Sequence, residues 1–333
     1  MSGAEAVAVP RGAALSVAVV GTESLAHFTD FFGGRVGLDA TPEATVGGEA
    51  FERHFALPPG STARAVLMSL GGSPVGRVLG LEFDAPRRPR VSDGRPGPFV
   101  GYWNLNFYVD DIRATCAALE ADGYAFWSRP VAHSMADDAG APIEAIFVGP
   151  DGVAINLVEL AGEGASTVAA LRREVAALPK TRSGWTQVST SAHGTRDAAA
   201  AAAFYREALG MAPAIDTVLE SPEVNRITGR PPEARSRVVW MRGAHPYGKV
   251  AFSQPLNYAM PDRTRDAVAP AVGYLAQGFE VPDLDAALAA ALRCGAERVT
   301  APETVPLAAG YAPRAAMLRV PGSGALAQFL EAR

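Results

Sequence analysis

The stretch VGYWNLNFYVDD, Val100 to Asp111, returns as VGYLAQGFEVPD from Val272 to Asp283, with Val, Gly, Tyr, Phe, Val and the final Asp at a constant offset of 172. A repeated unit fixes architecture before any single residue is interpreted. In the first copy Leu105, Phe107 and Val109 alternate with Asn104, Asn106 and Tyr108, the period of two expected of a strand with one face on a core. Asp110 or Asp111 then caps a helix with Ile112, Cys116 and Leu119 on its apolar stripe, ending at Gly123. The second copy predicts a helix from Asp283 to Gly295 through Leu284, Leu288 and Leu292.

Working outward, LSVAVV from Leu15 reads as a strand and Glu23 to Phe32 as a helix. TQVSTSA and the helix Arg196 to Leu209 answer them in the second half. Phe31-Phe32 and Phe204-Tyr205 match at an offset of 173, which also relates Arg53 to Arg226, Pro58-Pro59 to Pro231-Pro232, Arg64 to Arg237 and Met68 to Met241. The turn-plus-strand endings match as well: Gly152, Asn156, Leu157 and Glu159 correspond to Gly324, Gln328, Phe329 and Glu331. Four strand–helix–strands units follow. The expected organisation is a loose leader over residues 1–12, a first domain over 13–160, a linker with a helix over 161–183, and a second domain over 184–333. Arg87 to Pro98 and Pro261 to Pro270 read as loops joining units.

The chain has 333 residues and a net charge of -5, which argues against a nucleic-acid or anionic-membrane surface. No apolar run reaches a membrane span and the first residues do not form a secretory signal, so a cytoplasmic location is expected. Cys116 and Cys294 sit inside predicted helices and offer neither a disulfide framework nor a zinc site. Dinucleotide, P-loop and nucleophile-elbow motifs are absent from the sequence.

A short strand, a helix closing on F-[FY] before G-[LM], further strands, a second unit opening FxVxD and a last strand after a PDG turn together resemble the vicinal oxygen chelate superfamily. That group includes glyoxalase I, extradiol dioxygenases and bleomycin-binding resistance proteins. The resemblance spans residues 13–160 and 184–333. It implies an α+β fold of tandem βαβββ units, two per domain, each pair curling into a cup-shaped eight-stranded sheet around one ligand. In metal-using members His and Glu from the first and last strands of the units hold a metal. Here those positions fall on or near Ser16, Asn104 and Asn156, with Gly80 or Glu82 on the first unit's last strand. In the second half they fall on Gln187 or Ser189, Ala276, Gln328, and Phe252 or Gln254. Neutral amides and hydroxyls are weak ligands for a divalent transition metal, so no metal and no other cofactor is expected.

By strand parity Tyr102, Asn104, Asn106, Tyr108, Asn156 and Glu82 share the inward face of the first cup, with Ser16, Gln187 and Gln328 completing the binding list. Such a polar face is costly to bury without partners. It is either cross-bonded within the sheet or offered to a ligand. Glu82, His54 and His133 are the candidate acids and bases. Arg53, Arg64, Arg226 and Arg237 read as loop ties. The expected function is metal-independent enclosure of a small aromatic or polyketide-like metabolite, by a binding or resistance protein or a metal-free acid–base enzyme. The alternative is a metal-dependent glyoxalase-like lyase, isomerase or dioxygenase with atypical ligands such as Glu82 with His54 or His133. The expected partner is a small molecule, not nucleic acid or membrane, and the chain is expected as a monomer with an internal pseudo-dimer or as a homodimer.

Overall fold

The computed structural model describes residues 12–86, 88–133, 140–162, 164 and 166–331. The leader over residues 1–12 therefore lies outside the described residues but for Gly12. The first unit contains β1 (Leu15–Gly21), α1 (Leu25–Thr29), β2 (Asp39–Ala40), β3 (Ala44–Gly47), α2 (Glu49–Phe55), β4 (Thr62–Ser69) and β5 (Arg77–Phe83). The second has β6 (Gly101–Tyr108), α3 (Ile112–Ala121), β7 (Val131–Ala132), β8 (Ile143–Val148) and β9 (Ala154–Glu159), followed by the linker helix α4 (Thr167–Val175). The third runs through β10 (Thr190–Gly194), α5 (Ala198–Leu209), β11 (Ala212–Leu219), α6 (Pro222–Ile227), β12 (Ser236–Arg242) and β13 (Lys249–Pro255). The fourth contains β14 (Gly273–Val281), α7 (Leu284–Arg293), β15 (Glu297–Arg298), β16 (Glu303–Thr304), β17 (Arg314–Arg319) and β18 (Leu326–Glu331).

The helices begin where their caps dictate. Asp111, Asp197 and Asp283 each accept hydrogen bonds from backbone N–H groups of the first turn of α3, α5 and α7, a contribution of about 1 kcal/mol per helix. The helix expected over 23–32 is shorter: α1 gives way after Thr29 to a wide π-type turn over Asp30–Val36 that ends on left-handed Gly37. The widened turn still drives Phe31 and Phe32 inward, where they meet Phe28, Phe107 and Phe147. The strand expected over TQVSTSA is displaced to Thr190–Gly194.

The units pair crosswise. In the first sheet β1 of the first unit lies antiparallel to β14 of the fourth and parallel to β5, giving the order β15-β17-β18-β14-β1-β5-β4-β2. The second and third units supply two four-stranded sheets, β6-β9-β8-β7 and β10-β13-β12-β11. These meet where the Ser189 N–H donates to the Asn106 carbonyl at 2.8 Å. The expected α+β fold of tandem units curled into two cups is present, and the difference lies in the pairing: one cup joins the outer units, first and fourth, and the other joins the inner units, second and third. The helices pack behind the sheets, where α1, α3, α5 and α7 share one large apolar core.

The seam between the cups is polar and pseudo-symmetric. Tyr102 and its repeat partner Tyr274 face each other with ring centroids 5.0 Å apart. Around them Tyr205 donates to Gln277 at 2.9 Å, Gln277 donates to Ser191 at 2.8 Å, and Ser191 pairs with Tyr274 at 2.7 Å. This buried chain of hydrogen bonds fixes how two similar surfaces meet, with the Tyr102 hydroxyl left outside it.

Candidate functional site

The two cups differ in what fills them, and the difference can be read position by position through the repeat. In the outer-unit cup, Val19, Leu79, Leu81 and Met317 from the sheet pack on Phe51 and Phe55, while Leu57 packs against the edge of the same cluster. Helix α2 thus plugs its own cup. In the third unit the register places Ala192 against Ala251 as it places Val19 against Leu79. At the same offset Phe51, Phe55 and Leu57 become Val224, Thr228 and Arg230. Every exchange shortens the side chain or adds polarity. A cavity of about 70 Å³ remains, lined among others by Ala192, Val224, Thr228, Arg230, Ala251 and Ser253. At about 10–15 Å³ of such volume per molecule, it would take roughly five waters.

One side of the cavity is polar. Asn104 and Asn106 reach it from β6, Asn156 from β9, Glu144 from β8, and His133 from the segment after β7. Asn156 donates to Glu144 Oε2 at 2.8 Å, and His133 Nε2 lies 3.4 Å from Glu144 Oε1. Burial pushes the Glu144 carboxyl upward, but His133, Asn156 and the charge of Arg230 outweigh it and hold Glu144 below the usual carboxylate range. The opposite wall, from β11 and β12, is apolar and aromatic, with Leu219, Val238 and Trp240, while Ile146 lies on β8 beside Asn156 and Trp103 stands near-parallel to Trp127.

Several polar atoms facing this space have no hydrogen-bond partner among the described residues. They include Oδ1 of Asn104, Asn106 and Asn156, Oγ of Ser253, and Nε and Nη1 of Arg230. Each such buried atom costs about 1–3 kcal/mol unless something answers it. His193, on β10, also borders the cavity; its ring is wedged among Tyr102, Tyr205 and Phe252, and burial lowers its pKa to about 3.

The other expected site residues lie elsewhere. Glu82 is on the helix side of β5, where it accepts from the Leu25 N–H at 2.8 Å and from Arg64 at 3.2 Å. It caps α1. Its neighbours Leu81 and Phe83 are the residues that face the cup, so parity assigned from Gly80 and Glu82 is one residue out. His54 lies in the outer-unit cup, buried against Gln328. Ser16 occupies an irregularity between β1 and β14 and accepts from the Glu280 N–H at 2.8 Å. Gln187 precedes β10 and donates to Ser73 and the Val75 carbonyl. Tyr102 belongs to the seam. Tyr108 lies past the other end of the asparagine pair, beneath Lys249, whose Nζ is 5.1 Å from its ring centre. The inward set assembled from one half of the chain is thus divided between two cups and the seam. Arg64 and Arg237 are tied to Glu43 and Asp216, and Arg53 reaches Glu303.

The residues at the metal-ligand positions implied by the fold can be tested for fit. In the inner-unit cup, ladder register makes Thr190 and Ala251 the third-unit counterparts of Asn104 and Asn156. In the outer-unit cup the four places hold Val17, Leu79, Ala276 and Gln328. Two amides, a hydroxyl and a methyl in one cup, and one amide with three aliphatic side chains in the other, do not fit a divalent transition metal. Glu82, expected with His54 or with His133 as an atypical ligand, shares a site with neither: Glu82 caps α1, His54 lies in the outer-unit cup and His133 in the inner-unit cup. Among the described residues no group of three or more His, Cys, Asp and Glu side chains converges as a metal site.

Comparison with solved structures places this architecture in the vicinal oxygen chelate fold. Glyoxalase I from Zea mays is similar over 96% of this chain and 92% of its own, at TM-score 0.62 and 12% identity. A point mutant of the maize enzyme matches over the same spans at TM-score 0.63 and 12% identity. A putative dioxygenase from Bacillus subtilis subsp. subtilis str. 168 is similar over 97% of this chain and 85% of its own, at TM-score 0.57 and 14% identity. No family model matches the chain, and no curated protein matches it. At these identities the likeness carries the tandem fold alone. No helix among the described residues is long and apolar enough to cross a membrane.

Proposed function

We propose that this chain encloses a small organic molecule in the inner-unit cup, without a metal, and that the outer-unit cup is a structural partner within an internal pseudo-dimer. The observation that carries this is the row of buried amide oxygens, Asn104, Asn106 and Asn156, facing a cavity in which the sheet satisfies little of their demand. Cross-bonding within the sheet would be the structural explanation of these side chains. Among the described residues it accounts for the Asn156–Glu144 bond but not for the three amide oxygens. The aromatic surface of Trp103, Trp240 and Phe252 favours a flat or aromatic ligand.

The test is native mass spectrometry of the protein as purified, against its denatured mass and its elemental metal content. A retained organic mass without stoichiometric metal is the expected result. Stoichiometric zinc, iron or manganese would overturn the metal-free reading.

A second reading, a metal-free acid–base enzyme, rests on Glu144 and His133. An ionised carboxylate beside an imidazole in a ligand cavity is the arrangement that removes a proton from a carbon acid, while Asn104, Asn106 or Arg230 would stabilise the resulting oxyanion. Glu144, rather than Glu82, is then the base. Turnover of the retained ligand by wild type that is unchanged in Glu144→Gln would sink this assignment.

A further inference from the structure

Arg230 is the feature of the inner-unit cup that its surroundings do not explain. The residue is 8% exposed. Its backbone is fixed: the Arg230 N–H donates to the Asn225 carbonyl at 2.8 Å, and left-handed Gly229 lies so close to the loop before β6 that a Cβ there would stand 2.6 Å from the Gly97 nitrogen. Yet Nε and Nη1 find no acceptor among the described residues. The nearby carboxylate is already engaged, since Glu144 Oε2 accepts from Asn156 and Oε1 faces His133.

Arg230 also lines a second space. Beside the inner cavity lies a groove of about 330 Å³ between the loop before β6 and the segment after β13, bordered by Arg95, Phe99, Tyr258 and Arg263 along with Arg230 itself. Of its charged lining, Arg95 pairs with Asp93 at 3.2 Å and Arg263 with Asp266 at 3.4 Å, which leaves Arg230 as the lining cation without an ion pair among the described residues. Arg230 thus stands at the junction of an amide-lined cavity and a wider groove. Glu144 offsets part of the Arg230 charge, but donors left without an acceptor in such a place call for an anionic partner, and a carboxylate is the small organic anion that they and the neighbouring amides would suit.

We propose that the ligand of this cup is an organic carboxylate, aromatic or unsaturated, whose carboxylate is gripped by Arg230 at the junction while the rest of the molecule lies along Trp103 and Trp240 or out in the groove. This deepens the proposed function and rests on its reading of the inner-unit cup as a ligand site. The amide oxygens inside would take hydroxyl or N–H groups of the ligand.

The test uses the full-length protein with two probes of equal shape, benzoate and benzamide, titrated calorimetrically at pH 7 and constant ionic strength into wild type and Arg230→Gln. The thermal midpoint of ligand-free Arg230→Met is measured beside wild type. The expected results are benzoate binding at least tenfold tighter than benzamide in wild type, loss of that preference in Arg230→Gln with benzamide unaffected, and a midpoint for Arg230→Met no lower than wild type. If both probes bind equally, or Arg230→Gln binds benzoate as wild type does, the anion assignment falls while the ligand site stands. If neither probe binds and Arg230→Met is several degrees less stable, Arg230 is a structural cation and the ligand-site reading falls with the proposal.

Discussion

Nε2 of His54 lies 3.0 Å from Oε1 of Gln328, although 274 positions separate the two residues. The contact ties α2 of the first unit to the last strand of the fourth, across the floor of the outer-unit cup. It occupies the last-strand position at which the fold family places a ligand carboxylate, and it does so with the chain's own imidazole. The cup is thereby closed by its own plug, with Phe51 and Phe55 filling the volume on either side.

His54→Ala should therefore act as a core mutation. Removing the ring empties a packed site and strands the Gln328 amide, a cost of about 2–4 kcal/mol. Urea unfolding of the variant checks this. A loss under about 0.5 kcal/mol would mean that the plug is not part of the stable fold.

Acid should weaken the protein through its buried histidines. Burial lowers His54 from 6.5 to about 4, against a smaller upward pull from Gln328, and lowers His193 from 6.5 to about 3. The unfolded chain takes up these protons near pH 6.5 whereas the folded chain does not, so their stability contribution is whole above that pH and declines as pH falls toward the folded values. Urea midpoints should fall more steeply below about pH 6.5, each histidine adding a slope of up to about 1.4 kcal/mol per pH unit to the decline that buried Lys249, lowered from 10.5 to about 7, already gives above it. His54→Phe should remove one histidine's share of that slope.

Glu82→Ala should leave ligand retention intact and cost about 1–2 kcal/mol of stability, because the carboxylate holds an otherwise unpaired N–H at the start of α1. Loss of ligand with unchanged stability would return Glu82 to the site.

Alanine-to-leucine changes should separate the cups. Ala276 faces the packed outer-unit cup and Ala251 the cavity of the inner-unit cup. Overpacking predicts a loss of about 1–3 kcal/mol for Ala276→Leu. Ala251→Leu has space to enter and should stay within about 1 kcal/mol of wild type. Thermal midpoints of both decide it.

Much of the fold was legible in the duplication itself. The offsets of 172 and 173 located four units, and Asp111 and Asp283 announced their helices. The pairing was not legible, because repeated units carry similar edges and hydrophobic periodicity does not say which edge meets which. That step decides the site: it separates Ser16 and Glu82 from the asparagines and brings in the third unit. Short strands also made parity fragile, and one residue of register turned Glu82 outward. Glu144 and Arg230 were missed although each carried a signal. Glu144 is a lone charge in the apolar strand IEAIFV, and Arg230 stands where the first unit has Leu57, a non-conservative exchange immediately before the matched proline pair.

The central claim, that ligand is held in the inner-unit cup while the outer one is plugged, is tested most directly by native mass spectrometry of wild type, Ala251→Leu and His54→Ala purified in parallel. The account predicts an organic mass retained by wild type and by His54→Ala but lost from Ala251→Leu. Retention by Ala251→Leu with loss from His54→Ala would contradict it and move the site to the outer-unit cup.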